Sequence, residues 1–137
     1  MKAIVNTTLI LEDSLIWNGA ITWENGRITA LGRREEVDIP ADAEVIDAKG
    51  LYTAPGLIDI HNHGGPDFLF HEDPRHCAEF FLQHGETTVL PTFYCNLTLE
   101  QMLDGAEKVK TAAQSGAGKI LNGLYLFKCQ DRTETNG

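Results

Sequence analysis

No apolar run in the 137-residue sequence approaches the roughly 18 to 20 residues that a membrane span requires. The start, Met1-Lys2-Ala3-Ile4-Val5-Asn6-Thr7-Thr8, breaks into polar residues before a signal-like apolar core develops. A cytoplasmic chain that does not engage membranes is therefore expected. Basic residues are also few: 11 Lys and Arg stand against 20 Asp and Glu, giving a formal net charge of -9. They are scattered singly apart from Arg33-Arg34, so the chain repels a phosphate backbone, and nucleic acid is excluded as an expected partner. Cysteine is sparse. Cys77, Cys95 and Cys129 are odd in number, widely spaced and form no CxxC pair, which argues against a disulfide framework or a zinc knuckle. Each reads as a reduced, partly buried thiol. The sequons Asn6-Thr7-Thr8 and Asn96-Leu97-Thr98 then carry no meaning, because a cytoplasmic chain does not meet the glycosylation machinery.

What is present follows two different grammars. Residues 1–53 form short apolar runs broken by Asn, Asp and Ser, namely Ala3-Ile4-Val5, Leu9-Ile10-Leu11 and Leu15-Ile16-Trp17. This is the pattern of strands with tight turns. The strongest local signal is Asn25-Gly26 between residues 19–24 and 27–31. Asn-Gly tolerates the positive φ angles of a type I′ turn, so a hairpin is expected there. Val45-Ile46-Asp47 and Leu51-Tyr52-Thr53 add short strands.

At Pro55-Gly56 the pattern changes. Leu57-Ile58-Asp59-Ile60 is nearly continuously apolar, as expected of a parallel strand covered on both faces. A helix should follow, with Asp73 as N-cap, Pro74 in the first helical position, Cys77, Phe80 and Phe81 as its apolar stripe, and Gly85 ending it. Residues 87–92 predict a second strand. Thr98 with Gln101 predicts a capping box, and Met102, Ala106, Val109 and Ala113 mark the buried face of a second helix. Gly116-Ala117-Gly118 stops that helix, and 119–126 predicts a third strand. The resulting β-α-β-α-β rhythm is that of a parallel α/β sheet. Residues 127–137 are polar and patternless.

His61-Asn62-His63 stands where the first parallel strand ends. Strand side chains alternate, so histidines at i and i+2 point to one side, which is metal-ligand geometry at the strand end where α/β barrels build their sites. Neutral imidazole suits zinc or iron. A bare HxH also occurs as a solvated loop pair, so context has to decide. Asp59 reads as a structural hydrogen-bonding residue rather than a ligand. Asp67 reads as a turn residue, and His71, His76 and His84 as surface or capping groups.

The stretch Ala54-Pro55-Gly56-Leu57-Ile58-Asp59-Ile60-His61-Asn62-His63-Gly64-Gly65 resembles the first barrel strand of the amidohydrolase superfamily. Residues 84–92, His84-Gly85-Glu86-Thr87-Thr88-Val89-Leu90-Pro91-Thr92, look like the second strand of its N-acetylglucosamine-6-phosphate deacetylases, and the glycine-rich His63-Gly64-Gly65-Pro66-Asp67 loop fits the same family. The resemblance covers only the N-terminal portion of that family. It implies an α/β fold: a small β-sandwich-type domain at 1–53, then, at 54–126, the first three strands and two helices of an incomplete TIM-like (β/α)8 barrel, then an irregular tail at 127–137.

By the same resemblance His61 and His63 hold a divalent metal, zinc or iron, incompletely ligated, and the parent activity is hydrolysis of the acetamide of N-acetylglucosamine 6-phosphate. The partner it implies is that small amino-sugar phosphate, with association through open sheet edges, or a homo-oligomer, as a further expectation. The family follows its third strand with an H-L-E-G-P motif whose glutamate is a metal ligand; Phe127 stands in that place, and phenylalanine cannot ligate. The general base and two further histidines belong to later strands, and a whole barrel needs about 250 residues. No catalytic residue is therefore assigned. The chain is expected to be a fragment, truncated or frameshifted form of the deacetylase, inactive alone. A non-catalytic binding module, or a fragment of a cyclic amidase or deaminase, are the alternatives.

Overall fold

The computed structural model describes residues 1–126; the expected tail at 127–137, with Phe127 and Cys129, lies outside them. The chain divides into two compact units, Met1–Pro55 and a second beginning at Gly56. Among the described residues no helix is long and apolar enough to cross a membrane.

The first unit is one sheet. Strands β1 (Lys2–Ile10), β2 (Leu15–Glu24), β3 (Arg27–Arg33) and β4 (Glu44–Asp47) lie in the order β3-β2-β1-β4, and β5 (Tyr52–Thr53) also pairs with β1. The β2–β3 hairpin turns at Asn25 (φ 52°) and Gly26 (φ 76°), the two consecutive positive-φ positions that a type I′ turn needs. Two pairs of expected strands are fused. Polar Asn6-Thr7-Thr8 does not end β1, because register shifts on either side of Thr7 absorb Asn6 at φ 54° as a bulge. The Thr7 hydroxyl, buried, donates to the Leu51 carbonyl at 2.8 Å. Asn18 at φ 50° similarly joins the expected 15–17 and 19–24 strands into β2. A second facing sheet, which a sandwich requires, is not found among the described residues of this unit.

The second unit is α/β. Strand β6 (Leu57–Asn62), helix α1 (Pro74–Gln83), strand β7 (Glu86–Phe93), helix α2 (Leu99–Ala112), a 3-10 turn (Gly116–Ile120) and strand β8 (Tyr125–Leu126) follow in order, with β6-β7-β8 a parallel sheet. Both helices start as their sequences dictate. The Asp73 carboxylate accepts from the His76 amide at 3.0 Å ahead of Pro74. Thr98 and Gln101 exchange bonds of 3.2 and 2.9 Å in a full capping box. Cys77, Ala78 and Phe81 of α1 pack with Phe70, Val89, Phe93, Val109 and Ala112 in the core of this unit. Each fully buried side chain of valine or phenylalanine size contributes about 1.5 to 3 kcal/mol through lost water contact. On α2, Gly105, Val109 and Ala112 are buried, while Met102, Ala106 and Ala113 are only partly covered.

Two expectations are corrected. The third strand is not continuous over 119–126: Gly116–Ile120 winds as a 3-10 turn, Leu121 makes a single bridge to Val89, and only Tyr125–Leu126 pairs. Gly118 packs so closely on the Ala112 carbonyl that no side chain fits there, and Gly123 at φ 115° breaks the extended run. Strand β6 is also not covered on both faces. Leu57, Ile58 and Ile60 are 62, 68 and 68% exposed, because β6 is an edge of the described sheet and pairs only with β7.

Candidate metal centre

The end of β6 is shaped by its own polar residues. Asp59 accepts from the His61 amide at 2.9 Å and from the Asn62 side-chain amide at 2.8 Å, and Asn62 Oδ1 in turn accepts from the Gly64 amide at 2.9 Å. The carboxylate thus fixes the backbone that carries both histidines, and Asp59 has a structural hydrogen-bonding role. A bridge between Gly64 and Leu69, with the Phe70 amide bonded to the His63 carbonyl at 3.0 Å, closes the following loop.

The His61 and His63 rings meet edge to face, with centroids 5.2 Å apart. His61 is exposed and His63 half-buried. His63 Nδ1 lies 2.9 Å from the Thr92 carbonyl at the end of β7. A carbonyl only accepts, so the proton sits on Nδ1 and, in the neutral ring, the lone pair sits on Nε2. Tyr94, just beyond β7, stacks on His63 at 3.9 Å with the planes 9° apart, and Tyr125 of β8 lies 5.7 Å from His61. The carboxyl ends of three parallel strands therefore converge on this pair, the region where open α/β sheets bind ligands.

Two imidazoles are a donor set that suits a divalent transition metal, and the tautomer of His63 fits ligation through Nε2. Among the described residues no group of three or more His, Cys, Asp or Glu gathers for a metal. A catalytic zinc usually has three protein ligands and an open position, one ligand more than this pair supplies.

The remaining candidates lie in structural roles. His84 Nδ1–H donates to the Phe80 carbonyl at 2.7 Å at the end of α1, His71 rests edge-on to Phe93, and His76 stands 3.9 Å from Asp67. Cys77 is a buried free thiol whose Sγ–H donates to the Phe68 carbonyl at 3.1 Å, and burial pushes the thiol pKa up. Cys95 departs from the expected reduced state and is disulfide-bonded. Three groups escape a reading of the sequence. Tyr94 and Tyr125 follow apolar strand residues and carry no motif of their own. Glu86 looks like an ordinary polar strand start, yet its Oε2 is buried without a hydrogen-bond partner. Burial, then the charge of Asp59, pushes its carboxyl pKa up, with His84 opposing.

No family model matches the chain. A segment of 54 residues is 50% identical to the imidazolonepropionase of Geobacillus kaustophilus (strain HTA426), covering 36% of this chain and 13% of that protein. The dihydroorotase of Aquifex aeolicus (strain VF5) is 34% identical over 93 residues, 66% of this chain and 21% of that protein. Among solved structures, the N-acetylglucosamine-6-phosphate deacetylase of Pasteurella multocida superposes with a TM-score of 0.70 at 25% identity, over 91% of this chain and 33% of that one. The chain shares its fold with N-acetylglucosamine-6-phosphate deacetylases, which are members of the amidohydrolase superfamily. The deacetylase of Mycobacterium smegmatis shares the fold over the whole chain, with a TM-score of 0.70 at 21% identity and 38% of its own length covered. The chain thus spans about a fifth or less of these curated superfamily relatives and about a third of these solved structures.

Proposed function

We propose that the chain is the N-terminal portion of a metal-dependent amidohydrolase, with residues 1–53 as its small β domain and residues 54–126 as the opening of a (β/α)8 barrel. His61 and His63 are two of the ligands of a divalent metal, zinc or iron. The observation that carries this reading is the convergence of the histidine pair at the carboxyl ends of β6, β7 and β8, with the His63 proton held on Nδ1 by Thr92. The chemistry such an ion supplies is polarisation of an amide carbonyl and acidification of water. The chain's own residues hold and orient: Asp59 and Asn62 fix the backbone, and the Thr92 carbonyl fixes the His63 ring.

The substrate in this reading is an N-acetylated amino-sugar phosphate, cleaved at the acetamide, supported by the shared fold with the two deacetylases. A second reading, hydrolysis of a different amide by a cyclic amidase, is supported by the local identity to a dihydroorotase and imidazolonepropionases. With no general base assigned and two ligands in hand, the 137-residue chain binds metal weakly and does not turn over. Zinc titration against a chromophoric chelator tests this. The wild-type chain competes for zinc, and His61→Ala or His63→Ala weakens that competition at least tenfold. Equal zinc binding by both variants overturns the ligand assignment, and acetate release from N-acetylglucosamine 6-phosphate that is lost on chelation overturns the inactivity.

A further inference from the structure

Beyond the two histidines, the site contains a tyrosine that core packing does not explain. β7 ends with Phe93 turned inward and 2% exposed, whereas Tyr94 is 43% exposed and spends its ring face on His63. The two planes differ by only 9° at 3.9 Å, while the Thr92 carbonyl two residues earlier holds Nδ1 at 2.9 Å. These two contacts restrict different motions. The carbonyl bond selects which nitrogen carries the proton, but a single bond still lets the ring tilt. A parallel ring blocks tilting, because rotation about the Cβ–Cγ bond drives an edge of the imidazole into the tyrosine face. The edge-to-face approach of His61 at 5.2 Å depends on the same ring plane.

We infer that Tyr94 is a positioning residue that, with the Thr92 carbonyl, locks His63 as its Nδ1–H tautomer and aims Nε2 as a donor to a divalent transition metal. The inference rests on the reading of His61 and His63 as ligands. It adds a specific partner outside the ligand pair, of the kind whose loss costs 10- to 100-fold in metal affinity. The contact is made by the ring rather than the hydroxyl, so phenylalanine conserves it.

The test compares the full chain with Tyr94→Phe, Tyr94→Leu and Tyr94→Gln, the last two giving independent non-aromatic variants, with far-ultraviolet circular dichroism to establish that each is folded. Two readouts are taken: the His63 tautomer from two-bond 1H–15N correlations in the metal-free chain, and zinc affinity by chelator competition. The wild type and Tyr94→Phe are expected to show a single Nδ1–H tautomer and zinc affinities within about twofold of each other. The non-aromatic variants are expected to show mixed tautomers and affinity lowered about tenfold. A non-aromatic variant that keeps the single tautomer, or keeps wild-type zinc affinity, overturns the inference. If the wild type fails to bind zinc, the ligand reading fails by itself, and the tautomer comparison in the metal-free chain alone then decides the role of Tyr94.

Discussion

Gly105→Ala sets two opposed effects against each other on the buried face of α2. Replacing a helical glycine by alanine favours the helix by about 0.8 to 1.0 kcal/mol through the lost freedom of the unfolded chain. The added Cβ, however, would stand 2.8 Å from His71 Cβ and 2.9 Å from Cε2 and Cζ of Phe93. Neither neighbour can yield cheaply. The Phe93 ring is 2% exposed in the core, and His71 Cβ moves only with its backbone. Overpacking of this kind costs about 1 to 3 kcal/mol, so it outweighs the propensity gain and the net loss is about 1 kcal/mol. With a urea slope of about 1 kcal/mol per molar for a unit this small, the midpoint falls by about 1 M. Both helices lie in the second unit, so ellipticity at 222 nm follows it, while Trp17 and Trp23 on β2 follow the first unit and should not respond. In a Phe93→Leu background only the contact with His71 Cβ remains, so the loss from the same glycine replacement should shrink below that in the wild-type background. A raised midpoint for Gly105→Ala in the wild-type background would falsify the packing argument.

Thr98→Ala removes the hydroxyl that accepts from the Gln101 amide in the α2 capping box and should cost about 1 kcal/mol in the same urea titration; a change below about 0.3 kcal/mol would show that water replaces the cap without loss. Glu86→Gln tests the buried carboxyl. Because its pKa is raised on folding, by burial first and by Asp59 second, the folded state binds that proton more tightly, and this stabilisation fades as pH rises from the ordinary carboxylate range through the raised value. Glu86→Gln should therefore match the wild type near pH 4 and exceed it in urea midpoint near pH 7, and an advantage that shrinks with rising pH would contradict the sign. The exposed edge of β6 is addressed by Ile58→Lys, which places a charge on an open strand edge and should reduce concentration-dependent association in sedimentation velocity; identical sedimentation of both proteins would rule that edge out as the contact.

Local chemistry made much of this protein legible. Asp73-Pro74 and Thr98 with Gln101 set the helix starts, and Asn25-Gly26 sets the hairpin, because each signal acts on backbone within three or four residues of itself. The i, i+2 histidines were readable for the same reason, since strand alternation needs only neighbouring residues. Tertiary structure decided the rest. Asn6 and Asn18 could have ended strands, and only pairing across the sheet turned them into irregularities within β1 and β2. The 3-10 turn of Gly116–Ile120 takes residues 119 and 120 from the expected strand, with Gly118 packed against the Ala112 carbonyl. Exposure of β6 is a property of how many strands flank it, which its own apolar sequence does not encode. The tautomer of His63 depends on a carbonyl 29 residues away, and the ring that holds it belongs to a tyrosine with no motif around it. Caps and turns act through backbone already close in sequence, whereas ring stacking and proton placement require atoms that only the folded sheet brings within 3 to 4 Å.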